Sequence, residues 1–212
     1  MLTLGVLATI TVGGAACALK EPGGSRAASL PFYESRDFTP RWAEVDHRVA
    51  PFQLVDQNNR RFTEADLDGR IHVASFLFAS CPSICPTLVQ RLKPLQAAVL
   101  GQTDVVMVSY SVTPLTDTPK VLAEFGRLRG IQPETWHLLT GDLGEIERVM
   151  RESYFADDAR VLEGETESRL LHTEKVLLVD KHRRLRGIYN GTQAFDIERL
   201  IEDIEALRLE ML

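Results

Sequence analysis

Apolar and polar positions along the chain alternate between two periods, and the changes of period mark the elements. Residues 51–56 (PFQLVD) alternate as an edge strand, and 57–60 (QNNR) form a turn signal before a second short strand at 61–63. Residues 71–78 (IHVASFLF) and 104–112 (DVVMVSYSV) are unbroken β-rich apolar runs, the pattern of strands buried on both faces. Between them, residues 87–100 place Leu88, Leu92, Leu95 and Val99 on one helical stripe, with a kink predicted at Pro94.

A second amphipathic helix is predicted over 118–128, with its cap at Asp117 or Thr118, and a short strand over 137–140. Asp142 then caps a helix running through Tyr154. Residues 154–171 are acidic and without period, hence a loop. Residues 174–179 and 185–189 make a hairpin around 180–184, and 195–212 a closing helix with Ile197, Leu200, Ile201, Ile204 and Leu207 on one face. Strands alternating with helices and ending in a hairpin and a helix define an α/β fold, a mixed central sheet flanked by helices. No internal repeat is present.

The N-terminal residues 1–19 carry no charge, near the lower limit for a spanning helix and long for the apolar core of a signal peptide. Gly13-Gly14-Ala15-Ala16-Cys17 offers the small residues a signal peptidase accepts, which makes Cys17 a candidate lipidated N-terminus. Gly14 nevertheless stands where a lipoprotein signal usually has a larger aliphatic residue. No Lys or Arg precedes the run, and a start further upstream is one of the readings. Signal, anchor and lipoprotein readings all place the remainder outside the cytoplasm, periplasmic in a bacterium. Residues 20–48 are predicted as a linker, and 49–212 as the folded domain.

Composition refines this picture in two ways. At 212 residues, 44% apolar and 25% charged, the chain has room for one well-buried core. Its net charge of −6 is spread along the sequence and excludes the basic surface that nucleic-acid binding requires. Three cysteines are too few for a disulfide scaffold, and two of them lie four residues apart.

That pair, Cys81 and Cys85 in Ala79-Ser80-Cys81-Pro82-Ser83-Ile84-Cys85-Pro86, falls where a buried strand gives way to a helix. A helix N-terminus there favours thiolate over thiol. If the turn is helical, the i, i+4 spacing brings both sulfurs to one side. Two such sulfurs can close a disulfide or hold a thiophilic ion such as Cu(I). A third ligand decides between these, and His172, opening the strand after the long loop, is the candidate. His47, His72, His137 and His182 have no ligand spacing to either cysteine, and Met107 reads as core. A peroxidase-like reading lacks a Thr-x-x-Cys turn with a distant resolving cysteine.

Taken together, residues 76–86, Val108-Ser109-Tyr110-Ser111-Val112-Thr113-Pro114 running into Asp117-Thr118-Pro119, Trp136-His137-Leu138-Leu139-Thr140-Gly141, and His172 ahead of Val176-Leu177-Leu178-Val179-Asp180 resemble the Sco/SenC family in order and spacing. The resemblance covers most of residues 49–192. It implies a thioredoxin-like fold on an N-terminal membrane anchor, with Cys81, Cys85 and His172 matching the family's copper ligands. It also implies a role in delivering copper to the binuclear copper centre of cytochrome c oxidase subunit II, or to another cuproprotein, or in reducing the acceptor's cysteines. The family often has Asp where this chain has Thr113. Two functions therefore stand: a copper metallochaperone, and a membrane-tethered thiol-disulfide oxidoreductase.

Overall fold

Two strands with no exposed position form the middle of the molecule: β3 (Ile71–Leu77) and β4 (Val105–Ser111) are buried throughout. They pair in parallel from Ile71↔Val105 to Leu77↔Ser111, so both end at the same edge of the sheet. The computed structural model describes residues 29–156 and 174–210.

Ahead of them, β1 (Gln53–Val55) and β2 (Arg61–Thr63) form a separate antiparallel pair. On the far side of β4 lies β5 (Trp136–Leu139), again parallel. On the far side of β3 lie β6 (Lys175–Val179) and β7 (Leu185–Asn190), both antiparallel to their neighbours, giving the order β5-β4-β3-β6-β7. The helices are α1 (Ile84–Val99), α2 (Pro119–Arg129), α3 (Leu143–Arg148) and α4 (Ala194–Leu209). This is the mixed sheet flanked by helices that the periodicities predict.

The pleat sorts alternate residues of β3 and β4 into two cores. Val73, Leu77, Val105 and Met107 pack with Leu88, Leu92 and Leu95 of α1, Leu122 and Phe125 of α2, and Leu200 and Ile204 of α4. Ala74, Phe76, Val106, Val108 and Tyr110 pack with Phe52 and Phe62 of the small sheet and with Ile146, Met150 and Tyr154. Both faces of the sheet are thus covered, and only its ends remain for chemistry.

Both edges of the sheet are also closed. At β5, the buried side chain of Gln57 acts as a one-residue strand: its amide nitrogen donates to the Trp136 carbonyl (2.9 Å) and its oxygen accepts the Leu138 N–H (2.8 Å). At β7, the Tyr33 N–H donates to the Leu185 carbonyl (3.0 Å). An edge occupied in this way cannot recruit a strand from another chain.

Three local features differ from expectation. Helix α1 begins at Ile84, earlier than residue 87, and Pro94 within it withholds the donor that the Gln90 carbonyl would meet. The helix predicted through Tyr154 is α-helical only to Arg148 and continues as a π turn, Val149–Ser153. The extra residue turns Tyr154 into the core and lets Ser153 Oγ accept the Ala50 N–H (3.0 Å).

The third difference concerns the predicted linker over 20–48, which from residue 29 onward is part of the folded body. The Leu30 N–H donates to Glu210 Oε1 (2.9 Å), and Phe32 is buried against the guanidinium groups of Arg186 (4.1 Å) and Arg184 (4.7 Å). Arg186 has no exposed side chain and donates to the carbonyls of Pro31 and Leu30 and to Asp180 and Glu210. Alternating aromatic and charged residues gave this segment no legible period. The predicted anchor over 1–19 lies outside the described residues. Among the described residues, no helix is long and apolar enough to cross a membrane.

Candidate metal centre

The carboxyl ends of β3 and β4 face one end of the sheet, and the chain leaving β3 makes the cysteine turn there. The Cys81 N–H donates to the Phe78 carbonyl (3.2 Å), which closes the turn before α1 begins at Ile84. Cys81 therefore precedes the helix. The two sulfurs meet because the turn folds back over the helix start, so the conditional i, i+4 helical geometry does not apply. The Cys85 N–H, in the first turn of α1, donates to Cys81 Sγ at 3.4 Å. Ser83 Oγ lies 3.9 Å from the same sulfur.

This arrangement makes the two thiols unequal. Burial works to raise the Cys81 thiol, but hydrogen bonds from the Cys85 and Ser83 backbones and side chains outweigh it and hold the group below the ordinary cysteine range. Cys85 is pushed up to about 12, chiefly by burial, with a lesser rise from the Cys81 and Asp117 charges and an opposing backbone hydrogen bond with Phe78. Cys81 is the nucleophilic sulfur at 5% exposure, and Cys85 is a fully buried second thiol behind it. Both are free of a disulfide.

A residue that sequence reading treated only as a possible helix cap holds this turn in place. Thr118 is the cap of α2, its side chain accepting the Val121 N–H. Asp117 is buried, and its Oδ2 accepts both the Ala79 N–H (3.0 Å) and the Ser111 hydroxyl (2.7 Å). One carboxylate oxygen thus ties the end of β4 to the residue two before Cys81. No signal in the sequence separates an acid that caps from one that bridges 38 residues back.

Thr113, where the family often has Asp, has a buried Oγ1 without a hydrogen-bond partner among the described residues. The histidines set aside from the sequence lie in other surroundings. His72 Nε2 meets the Tyr154 hydroxyl (3.1 Å), His47 Nε2 donates to the Ser153 carbonyl (3.0 Å), and His137 lies beside Asp56 (3.6 Å). His182, in the β6–β7 turn, donates its backbone N–H to Asp180. Among the described residues, no group of three His, Cys, Asp or Glu side chains could hold a metal. The candidate third ligand, His172, and the lipidation candidate, Cys17, lie outside the described residues.

The donor set nevertheless fits a soft ion. Two sulfurs share one turn, one of them favouring thiolate, and no amine or guanidinium is bonded to either. Fold and site together define a thioredoxin-like domain with a buried dithiol at the first turn of its first long helix.

Among such proteins, the chain belongs to the SCO1/SenC family, whose model matches residues 42–208. A SCO1/SenC family lipoprotein from Bacillus anthracis is similar in structure, with a TM-score of 0.67, 26% identity, and 77% of this chain and 96% of the other covered. BsSco, described as having a disulfide switch and as a member of the Sco family of cytochrome c oxidase assembly proteins, matches at TM-score 0.64 and 28% identity over 78% and 96%. Copper-bound ScoI of Bradyrhizobium japonicum matches at TM-score 0.60 and 25% identity over 76% and 99%.

Proposed function

We propose that this protein binds copper outside the cytoplasm and passes it to the binuclear copper centre of cytochrome c oxidase subunit II. The ligands are Cys81, Cys85 and His172, and the protein is held to the membrane by residues 1–19 or a lipid on Cys17. The observation that carries this reading is the folded-back turn, in which the Cys85 N–H supports a thiolate on Cys81 with a second sulfur behind it. The copper held by ScoI supports the metal, the description of BsSco supports the oxidase, and the lipoprotein relative supports the location.

Topology supports His172 as the third ligand. Strand β6 runs antiparallel to β3, so its start at Lys175 lies at the end of the sheet where β3 delivers the cysteines. The Glu174 carbonyl accepts the Gly191 N–H (2.7 Å), and a Cβ on Gly191 would stand 2.2 Å from Leu88 Cδ1, in the same helix as Cys85. His172 is two residues from Glu174, a span of at most about 7 Å of extended chain.

A second reading has its own observation, the inequality of the two thiols. In that chemistry the Cys81 thiolate attacks a partner disulfide and expels one partner thiolate. Cys85, deprotonated as it reacts, then attacks the Cys81 sulfur and expels the second partner sulfur, leaving a Cys81–Cys85 disulfide that an external dithiol must reduce. Anaerobic copper titration and disulfide exchange of the reduced protein separate the two. In the chaperone, His172→Ala weakens copper binding by about tenfold or more while exchange is largely kept. Equal copper affinity with and without His172 rejects the ligand set. Fast exchange with no copper bound establishes the oxidoreductase.

A further inference from the structure

Charge is missing from one end of this molecule. A quarter of the residues are charged, yet residues 78–90, 112–116 and 190–195 contain no Asp, Glu, Lys or Arg. These three segments meet around the cysteines. The first is the cysteine turn with the start of α1. The second is bound to it through the Val112 N–H on the Leu77 carbonyl (2.9 Å) and through Asp117 on Ala79. The third lies against α1 where Gly191 abuts Leu88. Asp117, the nearest acid, is buried and its Oδ2 is already shared between two donors.

Out of this neutral cap project two apolar side chains, Leu115 at 87% exposure and Phe195 at 68%. Leu115 tips the loop after β4, and Phe195 opens α4 on the other side of the cysteine turn. Charged residues resume at once outside it, with Lys120 and Asp196 the next along each segment not already buried. An apolar centre with a charged rim is the anatomy of a protein interface.

The chemistry says what covers it. Cys81 is 5% exposed, so a donor atom from an acceptor protein reaches its sulfur, or copper on it, only when the acceptor's surface lies on the surrounding cap. We infer that this cap, with Leu115 and Phe195 flanking the cysteine turn, is the docking face for the copper acceptor, and that apolar contact rather than charge selects the partner. The inference rests on the chaperone reading and adds to it how the acceptor is recognised. The acceptor it fits carries its metal ligands on an apolar, uncharged tip of its own.

The test is transfer of Cu(I) from the loaded full chain to the reduced, metal-free soluble domain of cytochrome c oxidase subunit II. Leu115→Glu and Phe195→Glu are compared with Leu209→Glu, a control at the far end of α4 that is 83% exposed. Each cap variant is expected to slow transfer about tenfold or more, as loss of a central apolar anchor does, with copper affinity within about twofold of wild type. The control transfers at the wild-type rate. The wild-type rate changes less than about twofold between roughly 0.05 and 0.5 M salt, because no charge pair steers the encounter.

Wild-type transfer by both cap variants, or a steep fall with salt, overturns the docking face while leaving copper binding intact. Copper bound but not passed to that domain overturns it as well. A wild-type protein that binds no copper removes the chaperone reading, and the docking face with it.

Discussion

Asp117 offers the sharpest test of how the site is built, because one buried oxygen serves two donors across the end of the sheet. Hydrogen bonds to a charged acceptor contribute about 1.5–3 kcal/mol each, neutral ones about 0.5–1.5. Asp117→Asn keeps the shape and an acceptor but loses the charge, so about 1–2 kcal/mol of stability is lost. Asp117→Ala also strands the Ala79 N–H and the Ser111 hydroxyl, both out of reach of bulk water, and costs about 3–5 kcal/mol. Denaturant unfolding of the reduced protein reads this as a lower midpoint at unchanged slope.

Ser111→Ala combined with Asp117→Asn completes a cycle whose coupling is about 1 kcal/mol, as for groups sharing one bond. The same variants loosen the turn carrying Cys81, so its alkylation rate rises at fixed pH. Stability within about 0.5 kcal/mol of wild type for Asp117→Ala, with unchanged alkylation, refutes the bridge.

Three further outcomes follow from other parts of the molecule. His72 is pushed down to about 3 by burial and by the charges of Arg183 and Arg70, while the unfolded chain protonates near the ordinary 6.5. Stability therefore falls as pH drops from about 6.5 toward 3, by about 1 kcal/mol per pH unit from this group, and His72→Gln shows a correspondingly flatter acid limb in pH-dependent unfolding. An identical slope in the variant contradicts this. Gln57→Ala strands the Trp136 carbonyl and Leu138 N–H and opens the β5 edge; it costs about 1–3 kcal/mol and promotes self-association visible by size-exclusion chromatography. A chain begun at residue 42 leaves Arg186 buried without its Leu30 and Pro31 carbonyls and without Phe32; it unfolds about 3 kcal/mol more easily than one begun at residue 29. Equal midpoints for the two chains dismiss the role of that segment.

What the sequence makes legible is local. Ile71–Leu77 and Val105–Ser111 announce themselves because strands covered on both faces have no polar positions to spare. The cysteine pair is legible because thiol chemistry is sparse and sits at a strand-to-helix junction. Features built from distant partners stay hidden. Gln57 reads as a turn residue, yet it closes an edge strand about 80 positions away. Phe32 lies in a Pro-, Gly- and charge-rich stretch, but its contacts are Arg184 and Arg186. The i, i+4 expectation for Cys81 and Cys85 misplaced the helix start, because a turn returning to its own strand has no periodicity to read.

The central claim is that two thiols of one turn and the imidazole of residue 172 share a single copper ion. X-ray absorption of the Cu(I)-loaded, reduced protein tests it most directly. Two sulfur ligands and one imidazole are predicted for the wild type, with the imidazole signal lost in His172→Ala and a sulfur lost in Cys81→Ser. An imidazole contribution that persists in His172→Ala, or fewer than two sulfurs in the wild type, contradicts it.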